Sequence, residues 1–174
     1  MIIIGIDPGS RITGYGLIKN HRDRLEYIHS GFIKVEGERF PQKLGFIFEQ
    51  LSEVIQLYAP DHMSIESVFM HKNADSALKL GQARGAAICA GHHAGMEVSE
   101  YAAREVKLAI VGQGAAQKEQ VKHMVCRLLS LRQELQADES DALAIALCHA
   151  QHSAMEHKTG IPARAFNRKR AYRR

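Results

Sequence analysis

The sequence predicts an α/β fold, a five-stranded mixed sheet flanked by helices on both faces. Three observations carry this expectation. Ile2, Ile3, Ile4 and Ile6 form a β-branched run of the kind buried on both faces of a sheet. Pro8-Gly9 then turns the chain, and Gly14 to Ile18 begin a strand that pairs back on the first. A long helical period over 40–58 leads into a short apolar run at 62–66, a crossover that makes that strand parallel to the first.

The first strand ends in Asp7, and it carries no polar side chain before that point. A carboxylate at the mouth of a buried strand costs about 2 kcal/mol or more in desolvation unless a cation or several donors compensate it. A turn-capping role would account for Asp7 if it stood alone.

Residues 24–35 (Leu25, Tyr27, Ile28, Phe32, Ile33, Val35) read as a third strand antiparallel to the second. Phe40, Leu44, Ile47, Phe48, Leu51, Val54, Ile55 and Tyr58 recur at helical spacing until Pro60, an amphipathic helix packed on one sheet face. The fourth strand ends in Glu66. Parallel strands end at the same edge, so Glu66 can sit beside Asp7, where ligand sites in open α/β sheets lie.

A helix is expected over 73–94, with Asn73 as its N-cap. Ala77, Gly81, Gly85 and Cys89 fall four apart on one face of it, which lets another backbone approach closely. This stripe suits either the protein's own sheet or a second copy. A fifth strand over 96–101, a short helix through Lys107, a Gly112-Gln113-Gly114 turn and a helix over 116–131 follow, with Lys118 near that helix's start. Asp138 and Asp141 then open an Ala/Leu-rich helix, and their spacing of three places both carboxylates on one face at its N-terminal end. Capping explains one of them and hardly the second.

Length and charge bound the rest. A chain of 174 residues suits one domain with a full core, assigned to 1–155. Residues 156–174 hold seven basic side chains and one acid, so of the net charge of +4 the body carries about −2. Such a tail is expected to be disordered. With no signal sequence and no run of about 18 apolar residues, the expectation is a cytoplasmic protein that does not enter a membrane. Cys89, Cys126 and Cys148 form no C-x-x-C pair, which argues against a disulfide framework or a thiolate zinc site and suggests small core residues. The histidine pairs His92/His93 and His149/His152 are expected to be surface or satisfied residues, and the 112–114 turn a connection without a phosphate.

Four carboxylates from three segments, Asp7, Glu66, Asp138 and Asp141, repel one another unless a cation joins them. Clustered acids suit Mg²⁺ or Mn²⁺. Two such ions about 3.5–4 Å apart support in-line phosphodiester hydrolysis, with Asp7 the natural bridging ligand.

The stretches GIDPGSRITGYG, SIESVFMHKNADSALKLGQARG, EYAAREVK, GQGAAQKEQV and ADESDALAIA together resemble the bacterial RuvC family of Holliday junction resolvases, a likeness that runs from Met1 to about His152. The resemblance implies an RNase H-like fold, a homodimer, Mg²⁺-dependent paired nicking of four-way DNA junctions, and work alongside the RuvA and RuvB branch-migration proteins. It implies Asp7, Glu66, Asp138 and Asp141 as catalytic acids and metal ligands, and Phe69, Lys107 and Lys118 as DNA-binding residues. The tail lies outside the matched motifs. Actin-like ATPases and sugar kinases share a related opening, but they need two such domains and a nucleotide cleft, for which 174 residues do not suffice. An RNase H-like nuclease acting on RNA or on other structured nucleic acid, and a binding-only module, are the remaining alternatives; the intact acids argue against the latter.

Overall fold

A computed structural model describes residues 1–21, 24–68, 74–132 and 134–159, with the side chains of 157–159 left aside. Its elements run β1 (Ile2–Asp7), β2 (Ile12–His21), β3 (Arg24–Lys34), α1 (Phe40–Tyr58), β4 (His62–Ser67), α2 (Ala74–His93), β5 (Glu97–Ala102), α3 (Ala103–Val111), α4 (Lys118–Leu128) and α5 (Ala137–Thr159). The strands form one sheet in the order β3-β2-β1-β4-β5. β1 pairs antiparallel with β2 and parallel with β4, and β4 pairs parallel with β5. The mixed five-stranded sheet expected from the sequence is therefore the one observed.

Alternation along β1 divides the core in two. Ile4 and Ile6 face a cluster built with Ile47, Leu51, Met63, Ile65, Ala83 and Ala87, so α1 and α2 cover that face. Ile3 faces the other way, into a cluster with Val106, Ile110, Val121, Val125, Leu143 and Leu147 from α3, α4 and α5. α5 lies between the sheet and the two shorter helices, and residues 142–150 are buried without interruption. That enclosure is why its sequence is apolar on every side rather than along one stripe.

The contact between α5 and the sheet is made backbone to backbone. A side chain on Gly5 would collide with the carbonyl oxygen of Ala142 and stand 2.7 Å from the nitrogen of Ala146. One on Gly14 would strike the carbonyl oxygen of Asp138, and one on Gly16 would come within 2.7 Å of the Leu143 side chain. These three glycines of β1 and β2, facing Ala142 and Ala146, form a seam that sets the height of α5 above the sheet.

Several boundaries differ from the sequence expectation. α3 continues to Val111, and Gly112 ends it in the left-handed conformation (φ 76°), accepting no side-chain cost there. α4 is shorter than expected and has Lys118 as its first residue. α5 is described to Thr159; residues 160–174, with most of the basic tail, lie outside the described residues, as do Phe69 and the expected cap Asn73. Cys148 is a core residue, but Cys89 is exposed because it falls on the outer face of α2. His149 is buried and hydrogen-bonded to the Tyr101 hydroxyl through Nδ1 at 2.8 Å, a satisfied core histidine.

Candidate active site

The site is built at the carboxyl ends of β1 and β4. Asp7 closes β1, and the loop after it is held by Thr13, whose hydroxyl donates to the Gly9 carbonyl at 3.0 Å and lies 3.3 Å from the Gly9 amide. Thr13 is fully buried, so this turn is fixed from below. Glu66 sits near the end of β4. The guanidinium of Arg84 on α2 donates through Nε to the Glu66 carbonyl at 2.9 Å and pairs through Nη2 with Glu100 at 2.6 Å. Arg84 is thus a positioning residue that ties the helix on one face to the strand end that carries Glu66.

The third segment is the first turn of α5. Glu139 accepts from the backbone amide of Gln136 at 3.0 Å, the arrangement of a helix-capping acid at the third position. Its other oxygen accepts from the Ser30 hydroxyl of β3 at 3.0 Å. One side chain therefore caps α5 and pins it to the sheet, next to Asp138 and Asp141. Neither Arg84 nor Glu139 was identified from sequence as part of this assembly. For Glu139 a signal existed, an acid three residues after the helix's cap position.

Asp7, Glu66 and Asp141 line a single cleft of about 240 Å³ together with Ala103, Val106, Lys107, Lys118 and Val121. Asp138 does not line it; its backbone lies over Gly14, although its charge still reaches Asp7. Lys118 Nζ is 2.8 Å from Asp141 Oδ2. Phe69 lies outside the described residues, so of the seven residues singled out from sequence, five share this cleft and a sixth borders it.

The electrostatics follow from crowding. Burial pushes the Asp7 carboxyl up to about 7, with Glu66, Asp141 and Asp138 adding to the effect and Lys118 opposing it. Burial also raises Glu66, reinforced by Asp141 and offset by Lys118 and Lys107. The hydrogen bond to Asp141 raises Lys118. An ammonium group therefore occupies the place where positive charge is needed. Among the described residues that line the cleft the acidic donors are all oxygen, with no cysteine or histidine, which fits a hard divalent cation. Among the described residues no three His, Cys, Asp or Glu side chains are drawn close enough to hold a metal as they stand.

A family model described as crossover junction endodeoxyribonuclease RuvC matches residues 3–149. The chain belongs to this family. It is 58% identical over 149 residues to the crossover junction endodeoxyribonuclease RuvC of Tolumonas auensis, with 86% of each chain covered. With the RuvC of Photobacterium profundum it shares 57% over 160 residues, covering 92% of this chain and 90% of that one. The Thermus thermophilus RuvC structure superposes with a TM-score of 0.80 at 32% identity over 89% of this chain and 96% of that one. The same RuvC has been solved in complex with Holliday junction substrate, again with a TM-score of 0.80, at 30% identity. The RNase H-like architecture expected from the resemblance is the architecture of the family.

One consequence concerns stability. In the unfolded chain Asp7 returns to its ordinary value of 3.8, so between about pH 4 and 7 the folded state binds the extra proton. The stability Asp7 contributes is full below about 4 and falls as pH rises to 7; above that the ionised carboxylate is a standing penalty. Asp7→Asn should therefore raise the unfolding free energy of metal-free protein at pH 8, by about 2–4 kcal/mol from a shift of this size, and should raise it little at pH 4. Denaturant titrations in EDTA at the two pH values measure the difference.

Proposed function

We propose that this chain is a structure-selective endodeoxyribonuclease that resolves Holliday junctions by paired, symmetric nicks, in homologous recombination and DNA repair. The observation that carries the proposal is the cleft in which Asp7, Glu66 and Asp141 meet Lys107 and Lys118 at the carboxyl ends of parallel strands. Acids alone would repel a phosphodiester. With basic side chains on the rim and a cation among the acids, the same cleft suits one.

In this reading Asp7, Glu66, Asp138 and Asp141 hold Mg²⁺, for which Mn²⁺ substitutes, and Asp7 is the central ligand because charge from each of the other three reaches it. When bound, the metal supplies the charge that activates water and stabilises the leaving 3′ oxygen. Lys118 would exchange Asp141 for a backbone phosphate as the acids are neutralised, and its exposed side chain has room to do so. Lys107, lining the same cleft, contacts the neighbouring phosphate. Phe69 is assigned to the unpaired bases near the junction centre by resemblance alone. The domain is taken as 1–155 with a basic tail beyond it, acting in the cytoplasm alongside RuvA and RuvB. Among the described residues no helix is long and apolar enough to cross a membrane.

Replacing Asp7, Glu66 or Asp141 with the corresponding amide should cut cleavage by orders of magnitude while leaving junction binding within a few-fold, because phosphate contacts come from lysine and arginine. A gel comparison of a four-way DNA junction, a linear duplex and an RNA·DNA hybrid checks this. Cleavage confined to the junction is expected; preference for the hybrid would favour an RNA-directed nuclease.

Paired nicks require two sites, and a two-fold dimer supplies them. The α2 stripe supports this arrangement. A side chain on Gly81 or Gly85 would meet nothing within 4 Å, whereas the face of α2 that packs on the protein's own core is Ala83, Ala87, Ala90 and Gly91. Leu78, beside the stripe, is 63% exposed. Gly85→Leu should therefore leave the protomer folded, give a monomer by sedimentation, and convert a cruciform plasmid to nicked circles in place of linear product. A variant that remains dimeric would place the two-fold contact elsewhere.

A further inference from the structure

The face of the sheet that carries the site continues beyond it, uncovered, toward β3. Asp7 pairs with Gly14 of β2, and Gly14 pairs with Phe32 of β3, so the three occupy one row across adjacent strands. All three face the α5 side. Gly5, two residues before Asp7, meets Ala142 and Ala146; Gly14 meets Asp138; and Ser30, two residues before Phe32, bonds Glu139. Two strand spacings put the backbone of Phe32 about 10 Å from that of Asp7, just past the first turn of α5.

Phe32 is 41% exposed and Ile12 39%, and Lys34, two residues on from Phe32 and paired with Ile12, shares their face. Lys34 is exposed. The acidic residues that follow, Glu36 and Glu38, turn away into a different groove with Gln42 and Phe46 of α1. The exposed ring thus lies in register with a carboxylate of the cleft, and the cation of Lys34 shares its face.

We infer that Phe32, with Lys34, forms a second contact for the cleaved strand on the β3 side of the carboxylates, opposite Lys107 and Lys118. The ring stacks on a base one to three nucleotides from the scissile phosphate, and Lys34 takes an adjacent backbone phosphate. A DNA strand is the occupant that fits, because the patch is continuous with the cleft and opposite in charge to a phosphate backbone. The contact would hold the strand on both sides of the cut, and so fix which phosphodiester reaches Asp7. The inference rests on the junction-nuclease reading above and extends its site.

The test uses the full chain and a four-way junction in which single abasic residues replace, in turn, the three nucleotides on each side of the cut. Wild-type protein should lose about 5- to 160-fold in binding at one of these positions, the range for one base–aromatic stack. Phe32→Ala should show that loss on the intact junction and no further loss at the same abasic position, with an unchanged melting temperature. Phe32→Trp should retain binding. Because the chain has no tryptophan, this variant's emission is also a direct readout, and it should be quenched when the junction binds. Phe32→Ala protein that binds and cuts like wild type overturns the inference, as does a penalty that simply multiplies with every abasic substitution, or tryptophan emission unchanged by DNA. Wild-type protein that leaves the junction uncut would instead remove the nuclease reading, and this inference with it.

Discussion

The close approach of α5 to β1 and β2 is the constraint on which the rest of the structure depends. Gly5, Gly14 and Gly16 leave the sheet surface bare where Ala142, Ala146 and the backbone of Asp138 come down on it. Interiors are close-packed, and even one added methyl must be accommodated by movement of its neighbours. At Gly5 the neighbour is helix backbone, which cannot rotate aside as a side chain can. A residue larger than glycine there would lift α5, and lifting α5 would withdraw Asp141 from Asp7. The same seam buries residues 142–150 and so fixes the core on that face. Packing and chemistry are therefore set by one contact.

What the seam brings together is electrostatically unfavourable. Buried Asp7 is crowded by Glu66 and Asp141, and its carboxyl is pushed up to about 7. Lys118 relieves part of this through Asp141, from the exposed end of α4. The site stores a penalty that a bound cation would remove, a common exchange of stability for function. Arg84 and Glu139 show how the strain is contained. Each fixes a backbone that carries one of the clustered acids, one through the Glu66 carbonyl and the other through the cap of α5, so that repulsion cannot simply separate the segments.

Much of this was legible in the sequence because it depends on period and topology. The isoleucine run of β1, the crossover to β4 and the resulting proximity of Asp7 and Glu66 follow from strand geometry. The spacing of Asp138 and Asp141 correctly marked a helix start. Their division of labour was not legible: Asp141 lines the cleft while Asp138 sits over Gly14, a difference set by how α5 is rotated on the sheet. Arg84 was missed because its partner is a backbone carbonyl, and the tie from Glu139 to the sheet because its partner is a serine 109 residues away; neither contact leaves a local pattern, although the capping position of Glu139 did. The glycines of the α2 stripe and those of the seam look alike as sequence. In the fold one set faces open space and the other faces helix backbone, and only the packing of α5 tells them apart.

The seam forces carboxylates together, and a bound divalent cation would relieve their repulsion. Thermal unfolding at pH 8, with and without Mn²⁺, tests this on wild type and on Asp7→Asn. Metal-free wild type should melt below Asp7→Asn, and Mn²⁺ at 100 times its dissociation constant should raise wild type by the equivalent of about 2–3 kcal/mol while moving the variant little. Equal stabilisation of both proteins by Mn²⁺, or none in wild type, would contradict it.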